Sequence, residues 1–432
     1  MTDDSHISSE AYDPLVPAPE AARTFSGRDA FSLWFSLGIG LLVLQAGAGL
    51  VPGLSLAWAL AAIVAGSVIG AVVLALAGVI GADTGLATIA ALRPTLGVRG
   101  AAVPAVLNVI QLVGWGAFEI IAMRDAADAL AKQTFHVSAP VVWTLIFGAA
   151  ATALAIMGPL SFVRRILRLG GIWLVLLGAA WLTWTLLSRH DLGQLFTHRG
   201  DGSLSFGAGV DIVAAMPLSW LPLIADYTRF GKSPSAMFRG STAGYLLANV
   251  WFYALGAAYA LTARTDPDGL LLSALAAAGG GVALLFILID ETDNIFADIF
   301  SAAMSTASVI RLKVSHLVIA FGALCTGLAM FVPMTQFTGF LYAIGSVFAP
   351  LYGVLLADHF LIRKRQVVIA DIDRLDGAYG FELGAHMTAF AAWFVGVVIY
   401  YLVTQFAPGL GATVPSLVVA GACLWGLNKI GF

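Results

Sequence analysis

A cluster of acidic side chains lies inside an apolar run that is long enough to cross a lipid bilayer. The run covers residues 282–310, and Asp290, Glu291, Asp293 and Asp298 lie near its middle. A carboxylate at the centre of a bilayer costs at least about 2.5–3.5 kcal/mol on insertion scales. These side chains must therefore face a watery cavity, an ion, a ligand or protein. The alternative, a position at the membrane edge, is disfavoured because too few apolar residues precede them to form a span.

A second polar group is formed by Asn108, Gln111, Trp115 and Glu119, at offsets 0, 3, 7 and 11. This spacing places all four on one face of a helix. A planar aromatic beside a carboxylate and an amide suits a flat, hydrogen-bonding heterocycle, with Trp115 stacking on the ring and Glu119 accepting from its edge. The alternative is a polar face that binds only neighbouring helices, which an interior glutamate makes less attractive.

The composition is that of a membrane protein, because 59% of the residues are hydrophobic and 11% are charged. Soluble domains carry about a quarter charged residues. Runs of about 20 apolar residues recur, which predicts an all-α polytopic membrane protein rather than a β-barrel. Cys325 and Cys423 lie in apolar runs, so no disulfide framework is implied. Residues 1–27 form a polar tail, expected to be disordered and unlike a signal peptide.

Twelve spans are predicted after this tail, and the distribution of Lys and Arg supports the number. With the N-terminus inside, 17 of the 22 Lys and Arg residues fall on the cytoplasmic side. This bias predicts that both termini are cytoplasmic. The predicted spans are 31–51, 56–80, 103–126, 139–157, 169–187, 206–227, 241–262, 282–310, 316–334, 337–361, 381–403 and 411–427, with a short interfacial helix at 267–280.

Two spans carry helix-breaking residues near their centres. The first span has a glycine-rich segment from Gln45 to Gly49, and the sixth contains Pro217 and Pro222. Interruptions at corresponding positions of two halves are typical of transporters with an inverted repeat. We therefore expect a five-plus-five repeat with discontinuous helices 1 and 6, in which spans three and eight also correspond. The alternative is that glycine and proline serve only close helix packing.

This arrangement predicts four domains. They are the tail (1–27), the first repeat (28–187), the second repeat (206–361) and two accessory helices (381–428).

Polar residues beside these breaks are candidates for contacts with substrate and ion. Unwound backbone at Ser219 and Trp220 would offer N–H and C=O groups to a substrate, although Trp220 could equally be a packing residue. Thr292 and Asp293 supply hard oxygen donors of the kind that small cations take. A sodium ion between the first break, at Gly47, and span eight is chemically sensible. A protonatable carboxylate is an equally valid coupling device, so Na⁺ and H⁺ both stay open.

Charged residues at the predicted cytoplasmic ends of two spans are assigned to structure. Asp226 and Arg229, after span six, are predicted to form a structural or gating ion pair rather than a substrate site. Asp358 and Arg363, at the end of span ten, are interpreted in the same way.

Three segments resemble the nucleobase–cation symporter family of purine, pyrimidine and hydantoin permeases. RPTLGVRGAAVPAVLNVIQLVGW (93–115) is similar to the loop and third helix of that family, SWLPLIADYTRFGK (219–232) to its sixth-helix ending, and SVFAPLYGVLLADHFLIRK (346–364) to its tenth-helix ending. With the twelve spans, the resemblance covers nearly the whole chain. GWGAFEIIAMRDAA and DETDNIFADIFSAA most resemble the hydroxymethylpyrimidine (thiamin-precursor) permease branch, related to cytosine permease.

The resemblance implies uptake by alternating access with Na⁺ or H⁺ coupling. The third-helix Trp of the family, which stacks on the ring, matches Trp115. The polar residue one turn later is often Gln in the family and is Glu119 here, which favours a ligand with more donors, such as an aminopyrimidine. The helix-eight Asn contact matches Asn294 or Asp298. The family's helix-eight Ser/Thr pair, which binds the cation, falls near Thr292 and Asp293 in this sequence. A carboxylate replaces a hydroxyl there, which leaves both sodium binding and protonation open.

The sequence therefore predicts a secondary active importer of hydroxymethylpyrimidine or cytosine in the bacterial inner membrane. We expect a small-molecule substrate, a monovalent cation and the bilayer as partners, with no cofactor, metal site or nucleic acid. A symporter for a purine, hydantoin or amino acid is the alternative, while an enzyme is disfavoured by the absence of hydrolase, zinc-protease and ATP-binding motifs. The predicted substrate contacts are Gln45, Gln111, Trp115, Glu119, Ser219, Trp220, Asn294 and Asp298.

Overall fold

The structure, a computed structural model, describes residues 15–157, 172–262, 281–310 and 312–431. Within these ranges the protein is helical, and the one strand-like pairing is an isolated bridge between Phe25 and Gly231. The longer helices are numbered in chain order as α1 (Gly27–Ser36), α2 (Leu41–Ala48), α3 (Leu56–Thr84), α4 (Ala102–Phe135), α5 (Pro140–Met157), α6 (Ile172–Arg189), α7 (Phe206–Ser219), α8 (Ile224–Thr228), α9 (Pro234–Thr262), α10 (Gly281–Ile310), α11 (Val314–Leu328), α12 (Phe337–Leu356), α13 (Met387–Phe406) and α14 (Thr413–Lys429).

These helices correspond one to one with the predicted spans once α1–α2 and α7–α8 are each taken as one interrupted span. By length and composition, six single helices in the described ranges could cross a membrane, and α1 with α2, bent by 60°, could form a seventh span. The predicted interfacial helix at 267–280 lies outside the described residues. The residue limits of the two repeats stay predictions.

The interruption of the first span was predicted at the wrong place. Residues 45–48 belong to α2, and the chain leaves the helix at residues 37–40 instead. Gly47 has a packing role, because a Cβ there would collide with the backbone of Tyr253 in α9. The true break includes Gly40, where a Cβ would lie 2.8 Å from the Oε2 atom of Glu291. Glycine is required at residue 40 because side chains of α10 occupy that space.

The interruption of the sixth span is confirmed. Helix α7 ends at Ser219, residues 220–223 form turns, and α8 begins at Ile224. Pro217 lies in the last turn of α7 and Pro222 in the break itself. Because neither proline has a backbone N–H, the helical hydrogen-bond ladder cannot continue through this segment.

The prediction that the tail is disordered up to residue 27 is wrong for the part the structure describes. Residues 15–26, here called the N-terminal segment, lie against the body of the protein, and Phe25 is buried. The N–H of Ala18 donates to the carbonyl of Gly85 at 2.8 Å, and the N–H of Phe25 donates to the carbonyl of Phe230 at 2.9 Å. A polar, proline-containing segment is therefore ordered by hydrogen bonds to other backbone groups.

One predicted ion pair is present, whereas the two residues of the other make their described hydrogen bonds to different partners. Nε of Arg363 donates to Asp358 at 2.7 Å, as expected. Asp226 instead accepts the backbone N–H of Thr88 at 2.8 Å, at the start of a short helix, Thr88–Ala91. Arg229 reaches the N-terminal segment, where its Nη2 atom donates to the carbonyl of Val16 at 2.6 Å. Asp226 and Arg229 thus stabilise two separate contacts at this end of the bundle.

Candidate substrate and ion site

An enclosed cavity lies between the two helix breaks. It holds about 20 Å³, far below the ~300–1,000 Å³ that is usual for small-molecule sites, so in this structure its side chains close around room for about one water molecule. None of the described residues that line it is Lys, Arg or His. The lining consists of Leu37, Gly40, Leu42 and Val43 from the first break and α2, Trp115 and Glu119 from α4, Met216, Ser219 and Trp220 from the second break, Tyr245 from α9, and Glu291, Asn294 and Asp298 from α10.

Helix α10 supplies the polar partners of the first break. Glu291, Asn294 and Asp298, at offsets 0, 3 and 7, share one helix face that points into the cavity. The N–H of Leu41 donates to Oε2 of Glu291 at 2.9 Å, and Nδ2 of Asn294 donates to the carbonyl of Ile39 at 3.1 Å. Helix α2 has no N-cap side chain of its own, because Gly40 precedes it. Glu291 therefore caps α2 from another helix.

Helix α4 holds the second break in the same manner. Nε2 of Gln111 donates to the carbonyl of Ser219 at 2.8 Å, and Nδ2 of Asn108 donates to the carbonyl of Pro222 at 3.2 Å. The hydroxyl of Tyr352, from α12, donates to the carbonyl of Leu221 at 2.6 Å. Carbonyls that a continuous helix would satisfy are satisfied here by side chains.

Two buried glutamates line the cavity from opposite helices. Glu119 of α4 is 5% exposed and Glu291 of α10 is 0% exposed. Asp298 lies two turns beyond Glu291 on the same face of α10. Its residue is 3% exposed, and its carboxylate accepts no hydrogen bond from any described residue. Because none of the described lining residues is cationic, the cavity favours a cationic or donor-rich ligand.

Aromatic rings form the other walls. The edges of Phe337 and Phe340 in α12 pack against Trp115, with ring centroids 5.7 and 5.3 Å away and interplanar angles of 78° and 69°. Trp220 and Tyr245 also line the cavity. The indole N–H of Trp115 is buried and has no hydrogen-bond partner among the described residues. A ligand that enters the cavity would find a fixed aromatic surface there.

Most of the predicted substrate contacts come together in this cavity. Gln111 does not line the cavity, because its amide N–H donates to the carbonyl of Ser219 at the second break. Gln45 lines a separate, more open cavity beside α12. Thr292 is half-buried and lies off the cavity face of α10, and the side chain of Asp293 lies outside the described part. The predicted contacts that do line the cavity are Trp115, Glu119, Ser219, Trp220, Asn294 and Asp298.

Sequence reasoning missed two of the lining residues that carry a polar side chain, Glu291 and Tyr245. Glu291 was noted in the acidic cluster without a role, yet its offsets of 3 and 7 residues to Asn294 and Asp298 place it on their face. That spacing was a usable signal. Tyr245 had no such signal, because a tyrosine in an apolar span is commonly a packing residue.

The chain belongs to the family described as permeases for cytosine/purines, uracil, thiamine and allantoin, whose model it matches over residues 17–427. It is 24% identical to the allantoin permease of Bacillus subtilis, over 92% of this chain and 87% of that protein. It is also 24% identical to the hydantoin permease of Microbacterium maritypicum, over 91% and 85%.

The fold is that of a nucleobase-cation-symport-1 family transporter, MHP1, solved in a closed conformation with bromovinylhydantoin bound. The match has a TM-score of 0.84 and 19% identity, and covers 96% of this chain and 95% of that one. The predicted fold class is confirmed, and the protein is a multi-pass membrane transporter rather than an enzyme.

Proposed function

We infer that the protein imports a pyrimidine-type heterocycle, hydroxymethylpyrimidine or cytosine, by cation symport with alternating access. The inference includes a location in the bacterial inner membrane with both termini in the cytoplasm. The observation that carries it is the lining of the central cavity, whose described residues place a tryptophan beside three carboxyl groups and include no basic side chain.

The hydrogen-bonding character of the lining favours a ligand rich in donors. Glu119, Glu291 and Asp298 offer acceptor oxygens, and Oδ1 of Asn294 is buried without a partner among the described residues. An aminopyrimidine presents an amino group, and hydroxymethylpyrimidine adds a hydroxyl group. Buried polar groups matched in this way reject ligands that leave them unpaired. The rings of hydantoin and allantoin contain an sp³ carbon and are not aromatic, so they would stack less well on Trp115 than a pyrimidine ring.

Uptake into proteoliposomes tests the substrate assignment. Labelled hydroxymethylpyrimidine and labelled cytosine would each be offered with a proton gradient, with a sodium gradient and with neither, and unlabelled allantoin and hydantoin would serve as competitors. We expect gradient-dependent accumulation of one pyrimidine and weak competition by the two ring amides. Accumulation of labelled allantoin or hydantoin, with neither pyrimidine transported, would contradict the proposal.

Substitution of Trp115 tests recognition of a ring. Stacking of a base on an aromatic side chain is worth about 1–3 kcal/mol, so Trp115→Leu should raise the half-saturation concentration about 5- to 150-fold. Trp115→Phe retains a planar face and should recover most of the affinity. Equal transport by the Leu and Phe variants would remove the planar requirement and favour an amino acid or another flexible solute.

A further inference from the structure

An open groove lies between the first two turns of α1 and the first two turns of α9, beside the N-terminal segment. It encloses about 550 Å³, within the ~300–1,000 Å³ that is usual for small-molecule sites. Arg28, Phe31 and Ser32 line it from α1, Arg239 lines it from α9, and the remaining lining residues are glycine and alanine. The groove shares no lining residue with the central cavity, so it is a separate candidate site.

Two arginine side chains in this groove have no partner in the part of the protein that the structure describes. Neither Arg28 nor Arg239 forms a hydrogen bond or an ion pair with a described residue. The neighbouring Asp29 does not line the groove, and its Oδ2 atom accepts the N–H and the hydroxyl of Ser26 at 2.9 Å in a helix cap. A guanidinium group presents N–H donors in a fork that matches a phosphate. Two such groups, with no acidic residue among the described lining, favour a bound anion.

The two arginines also mark the level at which their helices enter the bilayer. After Asp29 the next charged residue in the chain is Asp83, and after Arg239 it is Arg264. Helices α1 and α9 therefore continue from the groove without any charge, as membrane-spanning helices do. A phosphate held by Arg28 and Arg239 would lie at the depth of the lipid headgroups, and basic pockets between membrane helices bind anionic headgroups.

An apolar strip on α9 begins at the groove and continues along the same helix face. Ala243, Leu247 and Val250 follow Arg239 at offsets of 4, 8 and 11, which places them on one face of the helix. All three are at least partly exposed, and Leu247 is 53% exposed. Phe31 adds a half-buried ring inside the groove. A free phosphate ion would leave the strip uncovered, whereas the acyl chain of a phospholipid would cover it.

We propose that this groove binds one anionic phospholipid, with its phosphate between Arg28 and Arg239 and an acyl chain along the apolar strip. Helices α1 and α9 already pack closely, because a Cβ at Gly240 would collide with the carbonyl oxygen of Gly27. The lipid adds a second connection between the same two helices. Since α1 leads into the first helix break, the bound lipid stabilises the position of that break against α9. The lipid site is independent of the substrate that the central cavity accepts.

Native mass spectrometry of the full-length protein in maltoside micelles measures this binding. The three ligands are phosphatidylglycerol, zwitterionic phosphatidylcholine and glycerol 3-phosphate, which has the phosphate but no acyl chain. Phosphatidylglycerol should bind about 10-fold or more tightly than either of the others, because it alone combines a net negative charge with acyl chains. It should also raise the melting temperature, because a ligand of the folded state stabilises that state.

Substitutions in the groove test the two arginines and the space between the helices. Arg28→Gln and Arg239→Gln should each weaken phosphatidylglycerol binding about fivefold or more. Ser32→Trp fills the groove without changing its charge and should weaken binding by a similar factor. Lys429→Gln, at the end of α14 and outside the groove, removes one positive charge and should change the affinity less than about twofold, because salt screens distant charges.

Each result supports or overturns the lipid site. Equal affinity for phosphatidylglycerol and phosphatidylcholine would overturn it, as would unchanged phosphatidylglycerol binding in both arginine variants. An equal loss in Lys429→Gln would also overturn it, because the attraction would then belong to the whole basic surface. Binding of glycerol 3-phosphate as tightly as phosphatidylglycerol would assign the groove to a soluble phosphate ester instead. If an arginine variant does not fold, Ser32→Trp and the comparison of ligands on the wild-type protein decide between these results.

Discussion

The hydroxyl of Tyr352 is expected to be essential for the geometry of the second helix break. It donates to the carbonyl of Leu221 at 2.6 Å, and Tyr352 itself is buried. No backbone N–H among the described residues bonds that carbonyl, because Leu221 lies in the turn between α7 and α8. Tyr352→Phe removes one oxygen and nothing else, so it isolates this bond.

The cost follows from the environment of the orphaned carbonyl. A buried polar group that loses its partner costs about 1–3 kcal/mol. The break places Ser219 and Trp220 in the cavity wall, so the lost hydrogen bond destabilises the conformation that binds substrate. If the full ~1–3 kcal/mol destabilises that conformation alone, the affinity for substrate decreases about 5- to 150-fold.

Tyr253→Phe is a matched control. The hydroxyl of Tyr253 is also buried and donates to a backbone carbonyl, that of Ile212, at 3.0 Å. Ile212 lies inside α7, where a helical N–H four residues further on also serves the carbonyl. The same chemical change therefore leaves no orphan, and affinity should change by less than about fivefold.

The assay is substrate binding to purified protein, measured by tryptophan fluorescence, together with thermal unfolding in detergent. Tyr352→Phe should weaken binding and lower the melting temperature more than Tyr253→Phe does. If both variants bind and unfold like the wild-type protein, or if Tyr253→Phe is the more damaging change, the side-chain support assigned to the break is wrong.

Two other contacts give predictions of the same kind. Gly40→Ala should lower the rate of substrate uptake about 5- to 150-fold, because a Cβ would overlap the Glu291 carboxylate of α10 and such overpacking costs about 1–3 kcal/mol. Gly339→Ala, at a position where the space around the Cβ is open, should leave uptake unchanged. Equal effects of the two substitutions would refute the argument. Arg229→Gln should speed tryptic cleavage after Arg23 about 10-fold or more, because the N-terminal segment loses a hydrogen bond from a charged group. The Arg199→Gln variant, changed in an exposed loop, should be cleaved after Arg23 at the wild-type rate. An unchanged cleavage rate in the Arg229→Gln variant would refute the role of this contact.

The sequence could predict those structural elements that are determined by neighbouring residues in the chain alone. Pro217 and Pro222 lack backbone donors, so a break in the sixth span follows from the chain alone. Acidic residues in an apolar run must face inward for the same local reason.

The first break could not be predicted because it depends on partners far along the chain. Two glycine-containing segments, residues 38–40 and 45–49, compete within one span, and glycine permits either to unwind. The choice is made by α10, which offers Glu291 and Asn294 to residues 39–41, and by α9, whose backbone approaches Gly47 too closely for a side chain. The order of the N-terminal segment has the same origin, since its partners are backbone groups near residues 85 and 230.

The two helix breaks are held by α4 and α10, two helices that line the central cavity. Helix α10 caps the first break through Glu291, and helix α4 supports the second through Asn108 and Gln111. A further bond joins these helices, from Nδ2 of Asn108 to the hydroxyl of Ser305 at 2.7 Å. Both helices line the central cavity, and each of them holds the backbone of a different break. A ligand that contacts α4 and α10 in the cavity would therefore touch the supports of both interrupted spans.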